Sequence, residues 1–492
     1  MRLVWGGPVW GHPGCNAVLV QRGRIAGVAR AEDFADIEAA RIDVRGGSIL
    51  PGFVDAHTHL VESGLAECGF SIDVSGKGHA ETQSVIADAA RSRGTGEWLM
   101  VTGWDESRWD PATGLQRTEL DRVAPGTAVI AVRVDGHVAV LSSAAMKRAA
   151  LALRDDARHV DVATGEVRET AVDRVRALVL PDKATLQSAL RAASTACHRL
   201  GITTVHVFPD RFEPRIVFDA AARLRLRIVI HPPASALGRL TADGARSGDG
   251  DEWARWGGLK LFADGSVGAR SAAFSSPYVS GGRGELLYDL EAMSRQIRAA
   301  DGKGWPTLIH AIGDRAIGQV LEAHRRVGTD PASGHRVEHY EFPTREQLEE
   351  TRRLGVTACM QPNFIGNWAG TGRLYEQALG PERDRNCNPL RAVLDAGIPL
   401  VFGSDGMPLG PLYGVAAAVD APHAAQRITL DEAVRAYTGG WSPASSASAL
   451  AVGDPADLAV LDGPLDGSGL TDRRVAQTWV GGVGVALEAE GR

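Results

Sequence analysis

The sequence predicts an α/β protein on a (β/α)8 TIM barrel. Three observations carry this: eight short apolar, β-branched runs recur along the chain, helical patterns separate the later ones, and reactive residue types gather at the C-terminal ends of the runs.

The first 47 residues stand outside this pattern. They contain AVLVQRGRIAGVA, two short strands around a turn at Arg22 and Gly23. From about residue 450, DPADLAVLDG and VAQTWVGGVGVAL are strand-like again. Both ends therefore read as all-β, and a small β-sandwich domain made of residues 1–50 plus 450–492 is expected. The barrel takes residues 51–449. Its strands are expected at SILPGFVDA (48–56), ITTVHVF (202–208), LRIVIH (226–231), LKLF (259–262), PTLIH (306–310), HRVEH (335–339), VTACMQ (356–361) and IPLVFGS (398–404). In TLQSALRAASTACHRLG, Leu186, Leu190, Ala193, Cys197 and Leu200 recur at helical spacing, and Gly201 ends the helix. LEAMSRQIRAADGKG, RAIGQVLEAHRRVG, TREQLEETRRLG and NPLRAVLDAG read as later helices. Residues of about 61–185 form a long insertion after barrel strand 1. In a barrel that position is a βα loop on the active-site face, so the insertion is expected over the site. It carries GWDESRW and VIAVRVDGHVAVL.

Composition narrows the function. A net charge of -7 and the lack of a basic stripe argue against nucleic-acid and anionic-membrane partners. Cys15, Cys68, Cys197, Cys359 and Cys387 are scattered, which suits a reducing compartment and excludes a cysteine zinc cluster. The start, MRLVWGGPVWGHPG, lacks the basic and apolar regions of a signal peptide, and no window reaches 18 apolar residues. A cytoplasmic protein with a small-molecule substrate is expected; a homodimer is compatible with the sequence.

The chemistry lies at the strand ends. DAHTHL places His57 and His59 two apart, so both imidazoles of a strand face one point. Lys260 sits within the apolar run LKLF, and a lysine is rarely buried without a partner. His310 and His339 end strands five and six, and Asp405 follows strand eight in FGSDGMP. Four neutral imidazoles and a carboxylate suit zinc or a related divalent ion. Each residue also has a structural reading: His57 and His59 as core histidines, Lys260 paired with Asp264, Asp405 as a turn residue before Gly406. His137 in VDGHVAV is a candidate for substrate contact and proton transfer, with a core histidine as the competing reading. Trp104 and Trp109 read as insertion core, His206 and His231 as supporting or core residues, and Asp314 as a residue that orients a ligand.

Taken together, FVDAHTHL, LKLFADGS, LIHAIGD, VEH and FGSD resemble the amidohydrolase superfamily, in particular the amidohydrolase-3 branch that includes N-substituted formamide deformylase. The resemblance covers nearly the whole chain. It implies a metal-dependent hydrolase of carbon–nitrogen bonds other than peptide bonds, acting on an amide, formamide or cyclic amide. It further implies two divalent ions, zinc by preference, with His57, His59 and Asp405 on the more buried one and His310 and His339 on the other. Lys260, carbamylated by CO₂, would bridge them. A metal-bridging hydroxide would attack the carbonyl, with Asp405 as proton shuttle. Relatives often have Trp where Gly406 stands, which implies a wider pocket here. Two alternatives compete. A mononuclear aminohydrolase (deaminase) on the same barrel uses a Glu after the strand-five histidine, and HAIGD has none. A non-catalytic scaffold would lack ligands that are present here.

Overall fold

Eight parallel strands organise the centre of the chain: β1 (Phe53–Thr58), β2 (Ile202–Val207), β3 (Arg227–Ile230), β4 (Leu259–Phe262), β5 (Thr307–Ala311), β6 (Arg336–His339), β7 (Thr357–Met360) and β8 (Leu400–Phe402). The structure is a computed structural model and describes residues 1–93, 97–110, 113–209, 211–439, 449–467 and 469–485. All eight strands overlap the predicted runs, and β4 coincides with its run.

The strand ladders form two parallel sheets and do not run on as one closed ring. One sheet holds β1, β2, β3 and a further strand, Ala254–Trp256; the other holds β4 to β8 in order. The break has a local cause. β3 runs into His231, Pro232 and Pro233, and a proline has no N–H for a neighbouring strand. At that seam the Lys260 N–H donates to the Pro232 carbonyl at 2.9 Å. Ala254–Trp256 continues into β4 through Gly257 and Gly258, so one bent segment pairs first with β3 and then with β5. A Cβ at Gly257 would lie 2.3 Å from the His231 ring, so the bend needs glycine there. At the other seam the Asp405 N–H donates to the His57 carbonyl at 2.7 Å, and Ser404 donates through N–H (2.9 Å) and hydroxyl (2.5 Å) to Asp55.

The first predicted strand, 48–56, is two elements. Ile49–Pro51 pairs antiparallel with Leu458–Leu461, in a sheet with Val475–Val480 and Val483–Val485, whereas Phe53–Thr58 is β1. Gly52 between them packs on Thr203, whose Oγ1 would lie 2.2 Å from an added Cβ. At the N-terminus, Arg2–Trp5, Ala17–Gln21, Arg24–Ala29 and Ala40–Asp43 form a second sheet. Its hairpin turns at Arg22 and Gly23, both at positive φ. Val4, Val18 and Ile25 of this sheet share a core with Ile49, Leu458, Val460 and Trp479 of the other. The final predicted residues of VAQTWVGGVGVAL (486–487), and the rest to 492, lie outside the described residues.

The insertion has its own six-stranded sheet, in the order Val160–Asp161, Glu166–Arg168, Val138–Leu141, Ala128–Arg133, Trp98–Trp104, Ser71–Asp73. Alternate side chains leave it on opposite faces. Leu99, Val101, Val129 and Ala131 join Trp104 and Trp109 in one core, and Met100, Ala128, Ile130 and Val132 fill another. Both tryptophans are insertion core, as the sequence predicts. Chain leaves through the helix Leu60–Glu67 and returns through Lys183–Arg199, which touch where Gly64 meets Ala189. The second helix is capped by Asp182 on the Thr185 N–H and buries Leu186, Leu190, Ala193 and Cys197; Gly201 just beyond it has φ +75°. Burying each such leucine contributes about 1.5–3 kcal/mol. Among the described residues no helix is long and apolar enough to cross a membrane.

Gly403 lets β8 approach β1: an added Cβ would lie 2.3 Å from the His57 nitrogen. Gly403→Ala is expected to destabilise by about 1–3 kcal/mol. Gly238→Ala, in the helix Leu237–Ala242 with nothing within 4 Å of the new Cβ, should be neutral or stabilising. Thermal unfolding of both variants checks the pair; equal midpoints would refute the close-approach argument.

Candidate metal centre

β1 is buried along its length because both faces are covered, and it ends by delivering His57 and His59. Their rings lie 5.7 Å apart and both turn toward Asp405. His59 Nε2 is 2.9 Å and His57 Nε2 3.5 Å from Asp405 Oδ1. Among the described residues these three form one of two groups of His, Cys, Asp or Glu whose ligand atoms fall within 4.8 Å of one another; the other is His57, Glu338 and Cys359. His57 Nδ1–H donates to Glu338 Oε2 at 2.6 Å, so Nε2 carries the lone pair. Burial, then the charge of Lys260, hold His57 far below the usual histidine range, so it is neutral. His57 Nε2 and Asp405 Oδ1 are both buried and neither makes a hydrogen bond. Two orphaned lone pairs facing each other fit a cation.

His310 and His339 meet edge to face, ring centroids 4.4 Å apart, and His339 lies 4.9 Å from His57. His339 Nδ1–H donates to Gln361 Oε1 at 2.8 Å, which leaves its Nε2 as the lone pair. His310 Nε2–H donates to the Gly265 carbonyl at 3.1 Å. Burial first, then neighbouring His57 and Lys260 for His339, and His339 and His137 for His310, keep both rings neutral. Lys260 is 5 % exposed, its Nζ 4.4 Å from the Phe208 ring centre and 4.7 Å from that of Phe262. The oxygens of Asp264 accept from the backbone N–H groups of Ala273, Ile312 and Gly313 at 2.8–3.0 Å, so this carboxylate ties together the loops after β4 and β5. Burial pushes its pKa up to about 7.

Two candidate ligands stand on strained backbone. Asp405 has φ +57° and His339 φ +71°, with Tyr340 next at +50°. Such conformations cost about 1–3 kcal/mol each for residues other than glycine and persist where the surroundings over-determine them. Here Asn363 Nδ2 clamps the turn around Asp405 by donating to the carbonyls of Ser404 (2.7 Å) and Met407 (2.6 Å).

The sequence matches the profile described as Amidohydrolase family over residues 40–486. The chain belongs to the amidohydrolase family, in its amidohydrolase-3 branch. YtcJ of Bacillus subtilis (strain 168), which bears the name amidohydrolase, is 27% identical over 91% of each chain. N-substituted formamide deformylase of Arthrobacter pascens is 25% identical over 95% of this chain and 94% of its own. Protein LONG AFTER FAR-RED 3 of Arabidopsis thaliana is 27% identical over 83% of this chain and 75% of its own. Among solved structures, a metal-dependent hydrolase from Pyrococcus furiosus superposes with a TM-score of 0.73 at 24% identity, over 94% of this chain and 99% of that one. A mutant of atrazine chlorohydrolase TrzN from Arthrobacter aurescens TC1, complexed with zinc and atraton, gives 0.51 at 16% identity, over 99% and 95%.

In this amidohydrolase the insertion contributes His137. Its ring lies 5.5 Å from that of His310, and its Nδ1–H donates to Glu169 Oε2 at 2.8 Å. Burial lowers the His137 pKa, but the carboxylates of Glu169 and Asp135 outweigh it and raise the value to about 9. His206 and His231 pair through Nδ1 and Nε2 at 2.9 Å, and His231 Nδ1 accepts from the Gly258 N–H at 3.0 Å. Both are buried, and the His231 ring stacks 5.0 Å from that of Phe208. Asp314 does not orient His310: it opens the helix Asp314–Val327 and accepts from the Ser275 N–H at 2.8 Å. The residues beside His310 are Asp264 and Gly265, one loop earlier. Sequence reasoning missed Glu338, Arg336, Gln361, Asp55 and Glu169. RVEH held a signal, since three polar residues in a four-residue buried strand need partners.

Glu338→Gln keeps the size of the His57 partner but removes its charge. Partners of this kind are typically worth 10–100-fold in metal affinity, so zinc binding measured against a competing chelator should weaken by about that factor in a folded protein. Unchanged affinity would mean that His57 is not a ligand.

Proposed function

We propose that this amidohydrolase is a metal-dependent hydrolase of non-peptide carbon–nitrogen bonds, acting on an amide, formamide or cyclic amide. The observation that carries the reading is the pair of orphaned atoms, His57 Nε2 and Asp405 Oδ1, beside His59 and with the His57 tautomer set by Glu338. The similarity to YtcJ, named an amidohydrolase, and to N-substituted formamide deformylase supports the bond class. In this reading the two parallel sheets are halves of one (β/α)8 barrel, and the two terminal sheets, within 1–50 and 450–492, form its sandwich domain.

His57, His59 and Asp405 would hold one divalent ion; His310 and His339, with Lys260 as its CO₂-derived carbamate, would hold a second. Imidazoles and carboxylates of this number suit zinc. Ions held there would supply Lewis-acid activation of the carbonyl and of the attacking water. Asp405, with one carboxylate oxygen facing the ion, would accept a proton from the attacking water and pass it to the departing nitrogen. The left-handed turn fixes its direction, and the 11 % exposure of its side chain keeps solvent from competing for that proton. Lys260 favours this over a deaminase reading, because as a carbamate it would supply an anionic ligand that the four imidazoles lack.

Asp405→Asn retains one oxygen ligand but no base. Zinc-loaded wild type should hydrolyse members of a panel of N-acyl, N-formyl and cyclic amides, and the variant should turn over at least about a hundredfold more slowly while staying folded. Near-normal turnover in the variant would remove Asp405 from proton transfer; no turnover of any amide by the wild type would remove the bond class.

Lys260→Ala should lose activity and recover part of it in short-chain carboxylic acids that replace the carbamate. The intact mass of active wild type should show carbamylation under conditions that retain CO₂. An unmodified amine in fully active, metal-loaded protein would eliminate the bridge.

A further inference from the structure

We infer that Phe262 selects the substrate, and that the substrate carries an aromatic group close to the scissile carbon–nitrogen bond. This deepens the proposed hydrolase reading and rests on it for the reaction, not for the binding. β4 alternates: Leu259 and Leu261 are 0 % and 3 % exposed within the apolar core, while Lys260 and Phe262, two residues apart, face the opposite side together. That side is the candidate centre. The Phe262 ring lies 5.3 Å from the His310 ring and 4.7 Å from Lys260 Nζ.

Among the described residues Phe262 is nevertheless 36 % exposed, the one aromatic side chain among the exposed large hydrophobics. The neighbouring rings are occupied by protein. Phe208 is 2 % exposed with its ring 4.1 Å from His57, and Phe364 is 4 % exposed and stacks at 8° on His339. An apolar ring left open at the end of a barrel strand, when its neighbours are covered, is a surface for a ligand. A planar apolar group gains there twice, from area removed from water and from ring–ring contact. An aliphatic group of one or two carbons gains little of either.

The test uses zinc-loaded wild type, Phe262→Ala and Phe262→Leu, each shown to keep wild-type metal content. Two matched pairs of probes are compared: N-benzylacetamide with N-ethylacetamide, and 2-phenylacetamide with propanamide. The first puts the ring on the amine side of the bond and the second on the acyl side. The readout is the ratio within each pair, taken from kcat/KM where the amide is turned over and from Kd by calorimetry where it is not. Wild type should favour the aromatic member of at least one pair by about tenfold or more. Phe262→Ala should bring that ratio close to one, the aromatic member losing about tenfold more than the aliphatic one, and Phe262→Leu should fall between. Should the alanine variant fail to fold, the leucine variant alone should lower the ratio by about threefold. A wild-type ratio near one in both pairs, undetectable binding of both aromatic amides, an unchanged ratio in the variants, or equal losses for both members of a pair would each overturn the assignment. Absence of turnover would sink the hydrolase reading and leave the Kd ratio to decide on Phe262.

Discussion

The buried bond from His57 Nδ1 to Glu338 Oε2, 2.6 Å long between two fully buried side chains, is the constraint on which the centre depends. It ties the first parallel strand to the sixth and so joins the two sheets from inside. It also chooses the tautomer of His57, turning the free lone pair toward Asp405. A buried carboxylate needs compensation, and Glu338 receives it from Arg336, whose Nη2 donates to Oε2 at 3.0 Å and whose Nε lies 2.9 Å from Oε1. Arg336 Nη2 also donates to the Ala56 carbonyl at 2.7 Å, next to His57 in the chain. Removing one member of such a group leaves an unbalanced buried charge, at a cost of about 3–5 kcal/mol. The arrangement therefore persists as a unit, and the position of His57 follows from it.

Strain enters where the strands end. Asp405 and His339 leave their strands in left-handed conformations, and the Asp405 turn is fastened from two other parts of the chain. Asp55 at β1 holds Ser404, and Asn363, after β7, holds the carbonyls on either side of Asp405. Burial raises the Asp55 pKa to about 6, against the pull of the Ser404 and His57 hydrogen bonds. The turn that carries Asp405 is thus supported by polar bonds within a largely apolar core, where each bond has few competitors.

What could be read in the sequence follows from the range of the interactions. The parallel strands were legible because burial on both faces makes each an apolar, β-branched run. The division of 48–56 was not, because Ile49–Pro51 and Phe53–Thr58 are equally apolar and the change of sheet depends on Thr203 approaching Gly52. Ala254–Trp256 was missed because it is three residues long and lacks β-branching. The candidate ligands His57, His59, Lys260, His310, His339 and Asp405 were legible from residue type and strand-end position. Their partners were not: Glu338 is 281 residues from His57, and no local pattern records that pairing. Asp314 misled for a related reason. Spacing of four residues brings side chains together within a helix, but His310 is on a strand and the helix begins only at Asp314.

A charged cluster helps to attach the insertion to this frame. Arg133, 2 % exposed, lies within 3.4 Å of Asp105, 2.8 Å of Glu106 and 2.9 Å of Asp135. Two of these carboxylates then reach the parallel-strand body: Asp135 accepts from the Ser266 hydroxyl at 2.6 Å, and Asp105 from Trp368 Nε1 at 3.1 Å. Hydrogen bonds are directional where apolar contacts are not, so this cluster sets the orientation of the insertion as well as its attachment. The VDGH turn that follows Arg133 carries His137, and the backbone N–H of His137 donates to Asp135 at 3.2 Å. His137 is therefore held from within the insertion, by the Asp135 bond at its backbone and the Glu169 bond at its ring. Two supports, one in the insertion and one between the parallel strands, thus hold the residues gathered around His310. The bonds that hold His137 lie within the insertion, whereas those that hold His57 and Asp405 run between the parallel strands and the turns after them.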